Sequence, residues 1–181
     1  MYNRIDNFIS RDTAYTIHRW CRERAELDPS GRLNFFITNS YLPNYHENAY
    51  LMQDLFDLIS KAISHEIGYK KEKIKLKRIN YQVLLEGQSI GFHTDEGGAY
   101  DKDMLFNGYS ALLYLNDEYE GGEILFYKSH DGDESKADWH KPMPGTLIYF
   151  RGGEENPHSV RTILGGERSN LILFFDVDES L

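Results

Sequence analysis

Apolar positions recur first with a helical period and then with a strand period. After Ser10, a favourable N-cap, Ile17, Trp20, Cys21 and Leu27 keep to one helical face until Asp28-Pro29 stops the run, which predicts a helix over about 11–27. Leu51, Leu55, Leu58, Ile59, Ala62, Ile63 and Ile67 share a broad face that ends at Gly68, predicting a second helix over about 48–67. Beyond it the period falls to two. The β-rich runs 74–85, 109–116, 123–127, 146–150, 158–163 and 168–177 are punctuated by Gly, Asp and Pro. Helices followed by strands predict an α+β fold, mainly β, in which the helices back one face of an antiparallel sandwich or barrel.

A chain of 181 residues fits one hydrophobic core, and no repeat or Pro/Ser-rich linker divides it. Residues 1–181 therefore read as a single domain, with helical support over 1–70 and a β core over 74–177. Charge narrows the partners. With 29 acidic against 20 basic residues the net charge is -9, which repels phosphate backbones and disfavours nucleic acid. No run approaches the roughly 18 apolar residues of a membrane span, and the start MYNRIDNFIS lacks the apolar core of a secretion signal. The lone Cys21 forms no internal disulfide and no Cys-based zinc site. These features predict a cytoplasmic protein. Lys73, Lys75 and Lys77, alternating with Ile74 and Leu76, read as a half-solvated edge strand, and Ser129 to Asp138 with Trp139 as a surface loop.

Seven histidines are available, and His93-Thr94-Asp95 stands out. Residues i and i+2 on a strand point to one face, so an imidazole and a carboxylate are offered to a single ion. A second histidine, His158, opens a later β-rich run, and two His with one carboxylate make the facial triad of non-haem iron oxygenases. Arg168 follows ten residues on, on the expected returning strand of a hairpin turned by Gly165-Gly166, where its guanidinium could grip a carboxylate near the metal.

Around these residues the motifs run in a set order. They are His93-Thr94-Asp95, Tyr114-Leu115-Asn116, Gly121-Gly122-Glu123-Ile124-Leu125-Phe126, Pro142-Met143-Pro144-Gly145 leading to Phe150, His158 and Arg168. In this order the chain resembles the Fe(II)/2-oxoglutarate-dependent dioxygenases, specifically their prolyl 4-hydroxylase-like branch, over about residues 50–177. The resemblance implies a double-stranded β-helix, or jelly roll, backed by two or three N-terminal helices. It implies Fe(II) held by His93, Asp95 and His158. It also implies 2-oxoglutarate paired with Arg168 and lined by Tyr114 and Ser110, O2 as the other co-substrate, and ascorbate as a possible reductant. The implied reaction is 2-oxoglutarate-dependent hydroxylation of prolyl residues in a peptide or protein, with the same chemistry on a non-prolyl small molecule or another side chain as the alternative. The retained Asp95 favours hydroxylation over halogenation. The segment Glu96 to Gly108 would act as a closing lid.

One position departs from the branch. A tyrosine commonly stands nine residues before the first metal histidine, and here that place is Leu84. Tyr81 or Ser110 would have to supply the lost hydrogen bond. Three rival readings are weaker. Gly87-Gln88-Ser89-Ile90-Gly91 matches a serine nucleophile elbow, but a strand-turn-helix context is missing. Nucleic-acid demethylases of the same superfamily usually carry a second arginine six residues after the first, and here that place is Phe174. A non-catalytic metal-binding jelly roll would not need a triad with open coordination positions.

Overall fold

The computed structural model describes residues 2–29, 31–37, 47–96 and 108–178. Helix α1 (Arg11–Arg22) starts where expected: the Ser10 hydroxyl accepts the Thr13 N–H, Asp12 lies in the first turn and Arg19 and Arg22 in the last. It stops short of residue 27. Glu26–Leu27 instead form strand β2, paired with β3 (Leu33–Ile37), and Asp28 closes the hairpin by accepting the Arg32 N–H. Leu27 is consequently 66% exposed rather than on a buried helical face. Helix α2 spans Glu47–Ile67, matching the second predicted run. Strand β1 (Tyr2–Ile5), together with β2 and β3, places sheet structure inside the stretch read as helical support.

Nine more strands follow: β4 (Ile74–Leu85), β5 (Ile90–His93), β6 (Gly108–Tyr114), β7 (Tyr119–Gly121), β8 (Ile124–Phe126), β9 (Asp138–His140), β10 (Leu147–Arg151), β11 (His158–Val160) and β12 (Ile163–Val177). The main sheet runs β1-β10-β6-β12-β4-β3-β2, with β7 paired to the start of β12, and the second sheet runs β5-β11-β8-β9. All pairings are antiparallel. This is the jelly roll that the motif order implied, with two helices behind the main sheet.

Strand alternation sorts the side chains into two layers. On β12, Leu171, Leu173 and Phe175 face the helices and join Ile59, Ile63 and Ile17 in one core. Leu84, Leu112, Ile148 and Phe150 fill the other core with Ile124, Phe126 and Val160 of the second sheet. The polar face of β12, with Arg168 and Asn170, turns toward that second layer and opens into the cleft. Lys75 and Lys77 are exposed where β4 pairs with β12 alone, in keeping with an edge reading at that end. No helix among the described residues is long and apolar enough to cross a membrane.

Two local expectations need correction. Gly165-Gly166 turn no hairpin: β12 continues through them with a register shift before Gly165, pairing Gly166 with Tyr119 and then Arg168 with Leu84. His158 and Arg168 therefore sit on different sheets and approach across the sandwich. Ser89 is exposed in the turn from β4 into another strand, not into a helix, so the serine-elbow reading fails on geometry. Of the expected lid segment, Glu96 to Gly108, residues 97–107 lie outside the described residues.

Candidate active site

The second sheet brings the two histidines together. His158 on β11 pairs directly with His93 at the end of β5, and their rings stand 4.2 Å apart. Asp95, just past β5, presents Oδ1 3.5 Å from His93 Nε2 and 3.8 Å from His158 Nε2. One ligand atom from each of the three lies within 4.8 Å of the others, a spread that suits a single ion.

The backbone fixes which nitrogen of each imidazole faces the centre. His93 Nδ1–H donates to Gly91 O at 2.9 Å, and His158 Nδ1–H donates to Asn156 O at 3.0 Å. A carbonyl only accepts, so both protons are held on Nδ1 and both Nε2 lone pairs point inward, as metal ligation requires. Phe150 and Phe126 pack against the His158 ring at 4.9 and 5.8 Å. Burial holds the His158 ring below its ordinary pKa. Burial by itself would push the Asp95 carboxyl up, but His158 and His93 beside it outweigh that and hold it down. His158 and Asp95 are thus favoured in their unprotonated, ligand-competent forms. At His93 burial alone would push the ring down, but the Asp95 carboxylate beside it outweighs that and holds it above its ordinary value.

Opposite them, Arg168 is 1% exposed. Its Nη1 donates to Asn170 Oδ1 at 3.1 Å and its Nη2 to Tyr114 Oη at 3.0 Å, with the guanidinium carbon 5.0 Å above the Tyr114 ring. No carboxylate pairs with it among the described residues, and its Nε has no partner. A buried guanidinium held by neutral groups alone is poised for an anion. Gly122 makes the placement possible: a Cβ there would lie 2.5 Å from Ile163 Cδ1 and 3.1 Å from Arg168 Cδ. The GGE motif is therefore a backbone platform under the arginine stem.

Ser110 Oγ, beside Asp95, and Tyr119 Oη, beside Arg168, are also buried with no hydrogen bond of good geometry among the described residues. Burial pushes the Tyr119 hydroxyl up to about 12, although Arg168 works in the opposite direction. Together these orphaned polar atoms fit a bound diacid and its metal better than they fit a closed core. The cleft that reaches His93, Asp95, His158 and Arg168 has a volume of about 780 Å³, ample for a small diacid together with part of a second substrate.

The sequence-predicted residues thus converge, with differences in detail. Tyr114 is fully buried and holds Arg168, rather than lining the open cleft itself. Tyr81 faces the other side of β4, bonded to His18 Nδ1 at 3.0 Å, so it cannot replace the missing tyrosine; Leu84 there simply adds to the core between the sheets. Tyr119 and Asn170 went unread. Their signal was slight, since a tyrosine two residues before GGE and an asparagine two residues after the arginine look like ordinary strand residues.

Comparison with known proteins agrees with this geometry. Prolyl 3-hydroxylase 2 of Rattus norvegicus is 44% identical over 73 residues, covering 40% of this chain and 10% of that protein. The chain thus spans about a tenth of the length of the curated relatives it matches. Among solved structures, a Pseudomonas putida prolyl-4-hydroxylase superposes with a TM-score of 0.74 at 21% identity, covering 98% of this chain and 92% of that one. The viral collagen prolyl hydroxylase of Paramecium Bursaria Chlorella virus-1, in its 2OG complex, gives 0.68 at 19% identity, covering 98% and 96%. These two likenesses confirm the fold. Because the sequence profile of the 2OG-Fe(II) oxygenase superfamily also matches residues 78–176, more than half of the chain and nearly all of the stretch that carries the converging side chains, the protein belongs to that superfamily.

Proposed function

We propose that this protein hydroxylates prolyl residues of a peptide or protein, using Fe(II), 2-oxoglutarate and O2 and releasing succinate and CO2. His93 Nε2, Asp95 and His158 Nε2 hold the iron, and Arg168 takes the distal carboxylate of 2-oxoglutarate. The observation that carries the reading is the pairing, across one cleft, of an inward-facing His-Asp-His set with a buried arginine that has no carboxylate partner among the described residues. Prolyl substrates are supported by the prolyl hydroxylases among both the sequence relatives and the structural neighbours. The sequence relatives are 3-hydroxylases and the structural neighbours include a 4-hydroxylase, so the hydroxylated carbon is part of what the experiment must read.

When bound, iron and 2-oxoglutarate together supply the oxidising chemistry: one oxygen atom of O2 ends in succinate and the other in a hydroxyl group on the substrate. The chain supplies position and dryness. His93, Asp95 and His158 all come from the second sheet and its edge, so co-substrate and oxygen would reach the iron from the cleft side. Asn170 and Tyr114 hold the guanidinium planar to its target, and Phe126 and Phe150 keep the His158 imidazole from turning. Leu112, Ile124 and Val160 wall the cleft with apolar surface.

Residues 1–181 serve in this reading as one domain, and the cytoplasm is the proposed compartment, supported by the single buried Cys21 with its thiol pushed up by burial. Ascorbate would keep the iron reduced. The test loads the protein with Fe(II), 2-oxoglutarate and ascorbate and offers proline-containing peptides. A gain of one oxygen on proline with matching succinate is expected, and fragmentation locates the carbon. Oxygenation of a different residue or a small molecule, with no proline modified, would replace this substrate assignment.

A further inference from the structure

The cleft-facing side of β4 carries two amides whose oxygens nothing in the described protein uses. Asn80 and Gln82 line the cleft, are 8% and 9% exposed, and leave Asn80 Oδ1 and Gln82 Oε1 without hydrogen-bond partners. A buried acceptor left unpaired is costly, and such groups are normally satisfied by something.

The orientation of Asn80 is imposed from outside the cleft. Asp28, in the hairpin between β2 and β3, can only accept, and it takes the Asn34 side-chain N–H at 2.6 Å. Asn34 Oδ1 is thereby turned toward β4, where it accepts from Asn80 Nδ2 at 3.0 Å. Asn80 is left presenting oxygen, not nitrogen. The relay Asp28-Asn34-Asn80 removes the ambiguity an amide normally has and points an acceptor at the site.

We propose that Asn80 and Gln82 bind the substrate, each accepting a hydrogen bond from a main-chain N–H of an extended polypeptide lying along β4. The inference rests on the polypeptide reading above and adds the means of recognition. The two residues stand two apart on one strand, roughly 6.8 Å at about 3.4 Å per residue. That is the repeat at which N–H groups recur along one edge of an extended chain. The residues immediately before and after a proline are separated by the same repeat, and proline has no N–H of its own to be left unpaired. Backbone recognition of this kind accepts many side chains while setting the register of the target residue over the metal.

The test uses fluorescein-labelled acetyl-Ala-Ala-Ala-Pro-Ala-Ala-Ala-amide and two versions N-methylated at the residue before or after proline. Binding is read by anisotropy with Mn(II) and 2-oxoglutarate, without turnover. Asn80→Leu and Gln82→Leu should each weaken the parent peptide by tenfold or more. Each should also lose the further penalty from N-methylation at one position while keeping it at the other. Asn34→Leu, outside the cleft lining, should give a smaller loss because Asn80 is then free to flip. Affinity for 2-oxoglutarate should stay within threefold throughout. If wild type binds the peptides but neither the substitutions nor the N-methyl groups change that binding, the acceptor pair is overturned and the polypeptide reading stands. If wild type binds 2-oxoglutarate and none of the peptides, both fall together.

Discussion

Arg168 is among the largest fully buried side chains of the described residues, yet there it meets only neutral oxygens. Truncating one partner of a buried charged pair typically costs about 2–5 kcal/mol, so Arg168→Gln should weaken 2-oxoglutarate binding roughly 30-fold or more. Isothermal titration with Mn(II) present would measure it, and unchanged affinity would remove Arg168 from the co-substrate site. Lysine should rescue poorly, because a single ammonium lacks the fork that Asn170 and Tyr114 hold in plane. Asp95→Ala should abolish tight metal binding, read by the Mn(II) resonance signal, while leaving the two imidazoles in place. At this scale much of the site was legible in the chain. His93 and Asp95 could be read because i and i+2 on a strand share a face, and His158 and Arg168 because motif order located them. Asn80 and Gln82 could not be read that way: an inward polar residue on a strand looks like a solvent-facing one until the covering sheet is known.

Among the elements, α1 is tied to the main sheet by His18, whose Nδ1 meets both Tyr81 Oη at 3.0 Å and Ser169 Oγ at 2.9 Å. Burial lowers this histidine from its ordinary 6.5, although Glu167 nearby pulls the other way and Arg22 and Arg19 reinforce the fall. The unfolded chain therefore binds the proton more readily than the folded one, so stability rises with pH through this window and is lost as pH falls below about 6.5. His18→Gln should lose less of its thermal midpoint between pH 7 and 5.5 than wild type. Equal slopes would remove His18 from the acid response. In α2, Ile59 is fully buried against the sheet, and Ile59→Ala should cost about 2–5 kcal/mol in urea unfolding without altering metal affinity. Both helices and the long strands β4 and β12 were visible as sustained periodicity. The two-residue β2 and three-residue β7 and β9 are too short to show a period, and they exist because a neighbouring strand supplies the hydrogen bonds. The hairpin expected at Gly165-Gly166 failed for a related reason, since glycine marks a bend as readily as a turn and here eases β12 past β7.

For the molecule as a whole, the net charge is -9 while, among the described residues lining the cleft, Arg32 and Arg168 stand against the single carboxylate of Asp95. An acidic protein with a cationic cleft draws small dianions inward, so the apparent KM for 2-oxoglutarate should climb with ionic strength from 20 to 300 mM salt. A salt-independent KM would show that steering contributes nothing. Chelation should stop turnover without unfolding the protein, because both apolar layers close without the metal ligands and metal adds only its binding linkage. Circular dichroism with and without EDTA would check it.

The central pair of the main sheet joins positions far apart in the chain, with Val177 set against Ile74 and Arg168 against Leu84. Pairings this remote close slowly, because a long loop must be gathered before any contact rewards it. Until that seam zips, His93 and Asp95, which follow β4, stay apart from His158 and Arg168, which lie ten residues from each other at the β11–β12 end of the chain. Competence should therefore arrive abruptly during refolding, in step with the final knitting of the sheet, and not accumulate as the helices form.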